Sequence, residues 1–241
     1  MPQVPSGRAA LDSGSLPSPD PFRDGLPVLD GVARDGSAPR VRLRPTRPAD
    51  AGDLFAVYSD AETMRYWSHE PFTAADEAAA ALAGIARSFA ARTSLEWAIA
   101  DAATDALVGT VTLYGWDRAH RRAEIGFLLG RAHWGRGLAS EAVRAALAFG
   151  FSEMDLHRVE ADVDPENAAS LALLARLGFR EEGRLAERWF TYGAWRDSVV
   201  LGLLAPGAAQ PGAAQPGAAQ RTTTGTENVS AGAVPGSNER P

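Results

Sequence analysis

The sequence predicts an α+β fold, a mixed, mostly antiparallel twisted sheet with helices on both faces. Three strand-like segments, 95–100, 107–114 and 122–129, follow one another across short turns, which is typical of an antiparallel meander. A helical pattern at 138–154 then leads to a strand at 158–163, and a strand–helix–strand crossover of this kind joins parallel strands. The sheet is therefore expected to contain both strand orientations.

The remaining elements flank this central part. Leu82, Ile85 and Phe89 recur at helical spacing in an alanine-rich stretch, and Gly178 is placed to end a later helix. We expect a strand at 41–44, helices at 48–58, 73–92 and 168–177, and strands at 179–185 and 195–204.

The composition of the two ends differs from that of the middle. Residues 1–38 are rich in Pro, Gly, Ser and Asp and show no sustained apolar period, so we expect a disordered leader. From residue 206 the chain repeats Pro-Gly-Ala-Ala-Gln three times, and 205–241 is expected to be a disordered low-complexity tail. The folded domain is predicted to span 39–204.

Charge and residue usage exclude several function classes. The net charge of −6 and the lack of a basic stripe argue against nucleic acid as a partner. The chain has no cysteine, and its four histidines lack ligand spacing, so we expect no metal site. It shows neither a run of 18 apolar residues nor a signal-peptide pattern, so we expect a cytoplasmic protein without a membrane partner.

Residues 133–141, His-Trp-Gly-Arg-Gly-Leu-Ala-Ser-Glu, carry the strongest chemical signal. Two glycines precede a helical pattern, so free backbone N–H groups at the helix start can bind a phosphate-bearing cofactor. With Glu160 or Asp162 downstream, the pattern also resembles a dinucleotide fingerprint, although the third glycine is missing. A glycine turn with a purely structural role is the third interpretation.

Several segments together resemble the GNAT superfamily of N-acetyltransferases. They are Ala123-Glu-Ile-Gly-Phe-Leu-Leu129, Trp134-Gly-Arg-Gly-Leu-Ala-Ser-Glu-Ala142, Asn167-Ala-Ala-Ser170 and Leu177-Gly-Phe179. The Trp-Gly-Arg-Gly form is similar to the RimJ/RimL branch, which acetylates protein N-termini, whereas the general pattern begins with Arg or Gln at the position of Trp134. The resemblance covers nearly all of residues 40–204.

This resemblance implies acetyl-CoA as co-substrate. The pyrophosphate would bind the N–H groups of residues 135–140, with Arg131 and Arg136 as possible phosphate partners, and the pantetheine arm would pair with the backbone of strand 122–129. By family analogy this strand parts from strand 158–163, giving a GNAT fold with a splayed central strand pair that holds the thioester. The residues expected to bind the cofactor are Phe127, Leu128, Leu129, Trp134, Gly135, Arg136, Gly137, Leu138, Ala139, Ser140 and Asn167.

Direct attack of an amine on a thioester requires a base, an oxyanion donor and an acid. Glu124 is the first candidate for the base, through water, and Asp162 is the second; alternatively both only bind the incoming ammonium. Many relatives carry a tyrosine acid where this chain has Leu174, so Ser170 becomes the candidate acid, unless its hydroxyl caps its own helix.

Three hypotheses of function follow. The first is an acetyl-CoA-dependent N-acetyltransferase, acting as a monomer or homodimer on a primary amine, either a protein N-terminal α-amine or a small molecule. The second is a non-catalytic acyl-CoA-binding module, and the third is a dinucleotide-dependent enzyme.

Five aromatic residues are expected either to line the acceptor pocket or to pack in the core: Tyr66, Trp67, Trp189, Phe190 and Tyr192.

Overall fold

A computed structural model describes residues 20–208, which contain a single eight-stranded sheet. The strands are β1 (Leu29–Asp30), β2 (Val41–Pro45), β3 (Ser94–Asp101), β4 (Leu107–Asp117), β5 (Arg122–Leu129), β6 (Arg158–Val163), β7 (Arg180–Thr191) and β8 (Ala194–Leu204). Their spatial order is β1-β2-β3-β4-β5-β6-β8-β7, and every neighbouring pair is antiparallel except β5 and β6. The predicted mixed, mostly antiparallel sheet is confirmed.

Helices cover both faces of the sheet, as expected. They are α1 (Ala51–Tyr58), α2 (Ala61–Met64), α3 (Ala75–Ala90), α4 (Leu138–Ser152) and α5 (Ala168–Arg176), with 3-10 turns at Pro48–Asp50 and Arg131–His133. The first three helices cover one face, which we call the acceptor face, and α4 and α5 pack on the other. Within residues 20–208, each helix is too short or too polar for a bilayer crossing.

Alternation along the strands divides the core into two layers. On β3, Leu95, Trp97 and Ile99 point toward α4, and the Trp97 ring packs edge-on against Phe149 with centroids 5.4 Å apart. Between them, Ala98 points to the opposite layer beside α1 and α3. The period of two therefore leaves the even-numbered positions of β3 on the acceptor face.

The parallel strands β5 and β6 stay together over only three residue pairs. Arg122 lies opposite Arg158, and the pairing ends where Glu124 lies opposite Glu160. Beyond that point β5 remains paired with β4 as far as Leu129, while β6 continues along β8 to Val163. The two strands thus diverge and leave a wedge between them, so the expected splayed pair is confirmed.

Part of the expected leader is folded, which corrects the predicted boundary at residue 39. Phe22 is buried with its ring 5.3 Å from that of Phe89, and the Trp97 indole donates to the carbonyl of Pro27 at 2.9 Å. Strand β1 pairs with β2. The apolar residues of this segment are too widely spaced to show a period, yet Phe22, Leu26 and Leu29 pack on a core formed by distant residues. The predictions for 1–19 and 209–241 concern residues outside the described part of the chain.

The last hairpin is also longer than the sequence predicts. Strands β7 and β8 continue to a two-residue turn in which Tyr192 and Gly193 have φ of 53° and 70°. Two left-handed residues are typical of a tight hairpin turn. The tyrosine in the first of these positions is an uncommon turn residue, which explains why 186–194 was not predicted as part of a hairpin.

Candidate active site

The glycine segment forms an exposed turn directly before α4. Gly135 and Gly137 have φ of 72° and 78°, a left-handed conformation that favours glycine. Gly137 is the N-cap of α4, and its side-chain-free backbone leaves the first-turn N–H groups without a capping side chain. Leu138 is buried in the core, so this residue anchors the helix while its N–H remains at the helix start. The turn therefore offers an anion site made of backbone.

Two side-chain contacts hold this turn in place. Glu141, with its side chain 2% exposed, accepts from the Nε of Arg40 at 2.7 Å and from the Arg40 backbone N–H at 3.1 Å. On the other side, the indole Nε1 of Trp134 donates to the carbonyl of Leu129 at 2.6 Å. Trp134 thereby ties the turn to the end of β5, a role that sequence reasoning did not foresee.

The two arginines expected near phosphate have different surroundings. Arg131 lies 3.3 Å from the carboxylate of Asp60 and so is engaged with the start of α2. Arg136 is exposed at the turn itself. Backbone N–H groups at Ala103 and Thr104, with a smaller contribution from Arg136, lower the pKa of Asp101. Arg136 remains the better candidate for a phosphate contact.

The wedge gives β5 a free backbone edge on the side from which β6 departs. Residues 125–129 have β4 as their strand partner on one side and no strand partner on the other. Phe127 is half-buried, and Leu128 and Leu129 pack into the cores on opposite faces of the sheet. An amide-containing chain can therefore pair along this edge, provided that it approaches from the wedge.

Asn167 and Ser170 lie at the start of α5, the helix that follows β6. The side chain of Asn167 accepts from the backbone N–H of Ser170 at 3.1 Å and so caps the helix. The hydroxyl of Ser170 takes no part in that bond and is half-buried. Leu174, at the position where many relatives carry the tyrosine acid, is fully buried in the core.

Glu124 is the last β5 residue paired with β6, at the apex of the wedge. It lies opposite Tyr114 of β4, close enough for its charge to act on the Tyr114 phenol. Burial, followed by the nearby charges of Glu124 and Asp162, raises the pKa of the Tyr114 phenol. Among the ion pairs within residues 20–208 none includes Glu124. Tyr114 was missed because only the β4–β5 register brings it beside Glu124.

Asp162 lies on the same face but is already held by several donors. Both its oxygens are 3.2 Å from the indole Nε1 of Trp189, and one accepts from the hydroxyl of Ser198. Arg188 lies 3.6 Å away. Asp162 thus connects β6 to the final hairpin, whereas Glu124 is the carboxylate with fewer commitments.

An aromatic wall closes one side of the acceptor face. The ring of Tyr58 lies 5.2 Å from Phe72, 6.0 Å from His69 and 6.2 Å from Trp67. The hydroxyl of Tyr192, at the hairpin tip, donates to the carbonyls of Met64 at 2.6 Å and His69 at 3.1 Å.

The five aromatic residues expected at the acceptor pocket therefore divide. The structure brings Trp67, Trp189 and Tyr192 to this face. Phe190 is 60% exposed and packs against Trp195, and Tyr66 lies beneath the guanidinium of Arg65.

Sequence reasoning also missed a further carboxylate on this face. Glu96 of β3 is partly buried and lies opposite Thr112, and burial raises its pKa to about 7. Its position on a strand with Leu95, Trp97 and Ile99 in the core was readable from the alternation. The sequence does not show that helices cover this face of β3 and partly bury Glu96.

The strand order excludes the dinucleotide hypothesis. Dinucleotide folds are built from consecutive parallel strands, whereas here β5 and β6 form the sole parallel pair of the described sheet. The geometry instead fits acetyl-CoA, since a backbone anion site, an unpaired strand edge and a carboxylate follow one another along β5.

Comparison with known proteins agrees with this geometry. Residues 40–180 match the family described as Acetyltransferase (GNAT) domain. The uncharacterized N-acetyltransferase p20 of Bacillus licheniformis is 36% identical over 165 residues, covering 68% of this chain and 93% of that protein. The spermidine N(1)-acetyltransferase of Escherichia coli K12 is 29% identical over 163 residues, covering 68% and 85%.

Solved structures show the same fold. Mycobacterium smegmatis RimJ in complex with CoA-disulfide superposes with a TM-score of 0.65 and 28% identity, covering 75% of this chain and 88% of that one. Spermidine N-acetyltransferase from Vibrio cholerae in complex with CoA and spermine gives a TM-score of 0.61 and 27% identity, covering 68% and 95%. This chain belongs to the GNAT family and is an acetyl-CoA-dependent N-acetyltransferase.

Proposed function

We propose that the wedge between β5 and β6 is the place of transfer and that the acceptor amine reaches it from the acceptor face. The observation that supports this most is the order of features along β5. Glu124 stands at the apex, the free edge follows, and the backbone anion site begins after Leu129. A strand rise of about 3.3 Å per residue puts about 16 Å between Glu124 and Leu129, a length suited to an extended pantetheine arm.

The cofactor is held mainly by backbone. The N–H groups of residues 135–140 and the guanidinium of Arg136 bind the pyrophosphate, because a helix start carries partial positive charge. Amides of the pantetheine arm pair with Phe127 and Leu128, while Asn167 borders the arm from α5. Trp134 and the Leu129 carbonyl, bonded to each other, support the turn. Bound acetyl-CoA supplies an acetyl group activated as a thioester.

Glu124 accepts the proton of the incoming ammonium, through water, and Tyr114 orients its carboxylate. The neutral amine then forms the new N–C bond and the C–S bond breaks. The Ser170 hydroxyl donates a proton to the departing thiolate and is reprotonated by the proton that the attacking nitrogen loses as the amide forms. Deprotonation at pH 7 costs about 1 kcal/mol for an α-amine but about 4 to 5 kcal/mol for a lysine-like amine, so an alkylamine acceptor depends more on Glu124. Asp162 positions the hairpin and contributes negative charge.

The acceptor is a primary amine that is cationic in solution. The net charge is −6, and the acceptor face presents Glu96, Glu124 and Asp162, so an ammonium is attracted to it. Relatives named as a spermidine N(1)-acetyltransferase and as a ribosomal N-acetyltransferase support a small amine and a protein amine as the two candidate acceptors.

Thiol release tests the proposal. Full-length protein with acetyl-CoA and a panel of N-terminal peptides, aliphatic amines and aminoglycosides should liberate free CoA with at least one acceptor, and Glu124→Gln should abolish most of that release. Calorimetry with CoA runs in parallel. CoA binding without thiol release from any acceptor would support the non-catalytic binding module instead.

A further inference from the structure

Glu96 is a partly buried carboxylate whose charge has no counterpart nearby. Thr112 of β4 lies directly opposite it, and Glu96 appears in none of the ion pairs found in the described part of the chain. Arg122, the one basic residue of strands β3 to β5, is engaged with Glu160 at 3.2 Å. Withdrawing a carboxylate from water without a cation is costly, so this position favours a cationic partner.

The strand register connects Glu96 to the wedge. Glu96 lies opposite Thr112, and Thr112 lies opposite Gly126, so the three positions form one row across the acceptor face. Gly126 is two residues past the last β5–β6 pair and therefore borders the wedge. Two strand spacings of about 4.8 Å put Glu96 about 10 Å from Gly126, measured between Cα atoms.

The row between these two ends carries few side-chain atoms. Thr112 is the only side chain in the row between Glu96 and Gly126, and both Thr112 and Gly126 retain some exposure. A Cβ at Gly126 would meet Tyr114 at 3.6 Å and nothing nearer, so the glycine leaves room above the strand. The row thus forms a trough that leads from the wedge to Glu96.

The far end of this trough suits an alkylammonium group. Tyr58 lies close enough for the charge of Glu96 to raise the pKa of its phenol, after the larger effect of burial. The Tyr58 hydroxyl is bonded to Thr110 at 2.9 Å, and its ring belongs to the aromatic wall. A carboxylate beside aromatic rings is a combination that binds organic cations well.

We propose that Glu96 is a specificity-determining residue that binds a second positive charge of the acceptor, about 10 Å from the amine that is acetylated. The preferred acceptor is then a dicationic aliphatic amine, held by one nitrogen at Glu96 while the other attacks the thioester in the wedge. This inference rests on the proposed function, because it takes the wedge as the place of transfer.

The test compares a seven-carbon α,ω-diamine with the seven-carbon monoamine, using full-length protein and saturating acetyl-CoA. In the wild type, kcat/KM should favour the diamine, and in Glu96→Gln the ratio of the two kcat/KM values should fall about tenfold, chiefly through the KM of the diamine. Glutamine keeps the size of the side chain. Glu153→Gln, an exposed site at the end of α4, is the matched control and should leave the ratio unchanged.

Direct binding separates failure of this inference from failure of the proposed function. Calorimetry of the protein saturated with CoA should detect the diamine in the wild type and lose it in Glu96→Gln, whether or not turnover occurs. Equal kcat/KM losses for both amines, or an unchanged diamine affinity in Glu96→Gln, would overturn the role of Glu96. If no amine releases thiol from the wild type, the proposed transfer fails, and the binding arm still decides whether Glu96 holds a cation.

Discussion

The proposed active site has two ends, a cofactor end and an acceptor end, and they are built in different ways. The proposed cofactor end comes from one contiguous segment, 133–141, and would act through backbone N–H groups and the conformation of two glycines. The acceptor end is assembled from side chains on separate strands, with Glu96, Tyr114, Glu124 and Asp162 each contributed by a different one. Changes at the first end should therefore affect every acceptor alike, whereas changes at the second should alter rate or acceptor choice without touching CoA.

The largest effect should follow from Gly137→Val. A β-branched residue is strongly disfavoured at a φ of 78°, so the turn must rearrange. We expect CoA affinity to fall about a hundredfold or more, measured by calorimetry. Gly52→Ala in α1, where a Cβ meets nothing within 4 Å, is the control and should bind CoA normally. Normal CoA binding by Gly137→Val would show that the backbone anion site at 133–141 does not bind the coenzyme.

Glu124→Gln should lower kcat about 10²- to 10³-fold while leaving the dissociation constant of CoA unchanged, because general-base catalysis contributes on this scale. Single-turnover acetylation measures the rate. Asp162→Asn is the informative comparison, since Asp162 is already bonded to Trp189 and Ser198 and should act mainly on the acceptor KM. A larger loss of kcat in Asp162→Asn than in Glu124→Gln would assign the base to Asp162.

Stability should depend on pH through Glu96. Its pKa is about 7 in the folded protein against an ordinary value of 4.5, so between these values the folded state keeps a proton that the unfolded state releases. The stabilisation is complete below pH 4.5 and is lost as the pH rises through 7, by up to about 3 kcal/mol. Denaturant titrations at pH 5 and pH 8 should show Glu96→Gln gaining stability relative to the wild type at pH 8. A wild-type-minus-variant difference that does not change with pH would contradict this.

The smallest effect is expected for Tyr192→Phe. The substitution removes the hydroxyl that bonds to Met64 and His69 and leaves the ring, at a cost of about 1 kcal/mol. These bonds hold the aromatic wall and do not touch the backbone anion site. The acceptor KM should therefore rise a fewfold with CoA affinity unchanged. Steady-state kinetics with both substrates varied measures this. A change in CoA affinity of the same size would show that the two ends are coupled.

The difference between the contiguous cofactor end and the multi-strand acceptor end also determines how much of each can be predicted from the sequence. The backbone anion site could be proposed from the sequence because such a site needs only neighbouring residues, and 133–141 contains all of them. The splay between β5 and β6 was available only from family resemblance, since nothing in the two strands marks where pairing stops. Tyr114 and Glu96 were missed because their neighbours are set by register across strands.

The folded part of the leader was missed for a related reason. Phe22 and Leu29 show no period of their own because they pack on surfaces formed by residues far along the chain. The hairpin tip depends on Tyr192 in a conformation that local propensity does not favour. In both cases tertiary contacts outweigh the local pattern.

The folded segment before residue 39 supports the first turn of α4, where the backbone anion site lies. The backbone N–H of Val32 donates to the carbonyl of Glu141 at 3.2 Å, and Arg144 donates to the carbonyl of Val32 at 2.9 Å. The segment before residue 39 thus straps the helix whose start is proposed to bind the coenzyme. A recombinant fragment trimmed to the family-matched stretch 40–180 would lose both this strap and the β7–β8 hairpin, which carries Tyr192 and the Asp162 partners Trp189 and Ser198.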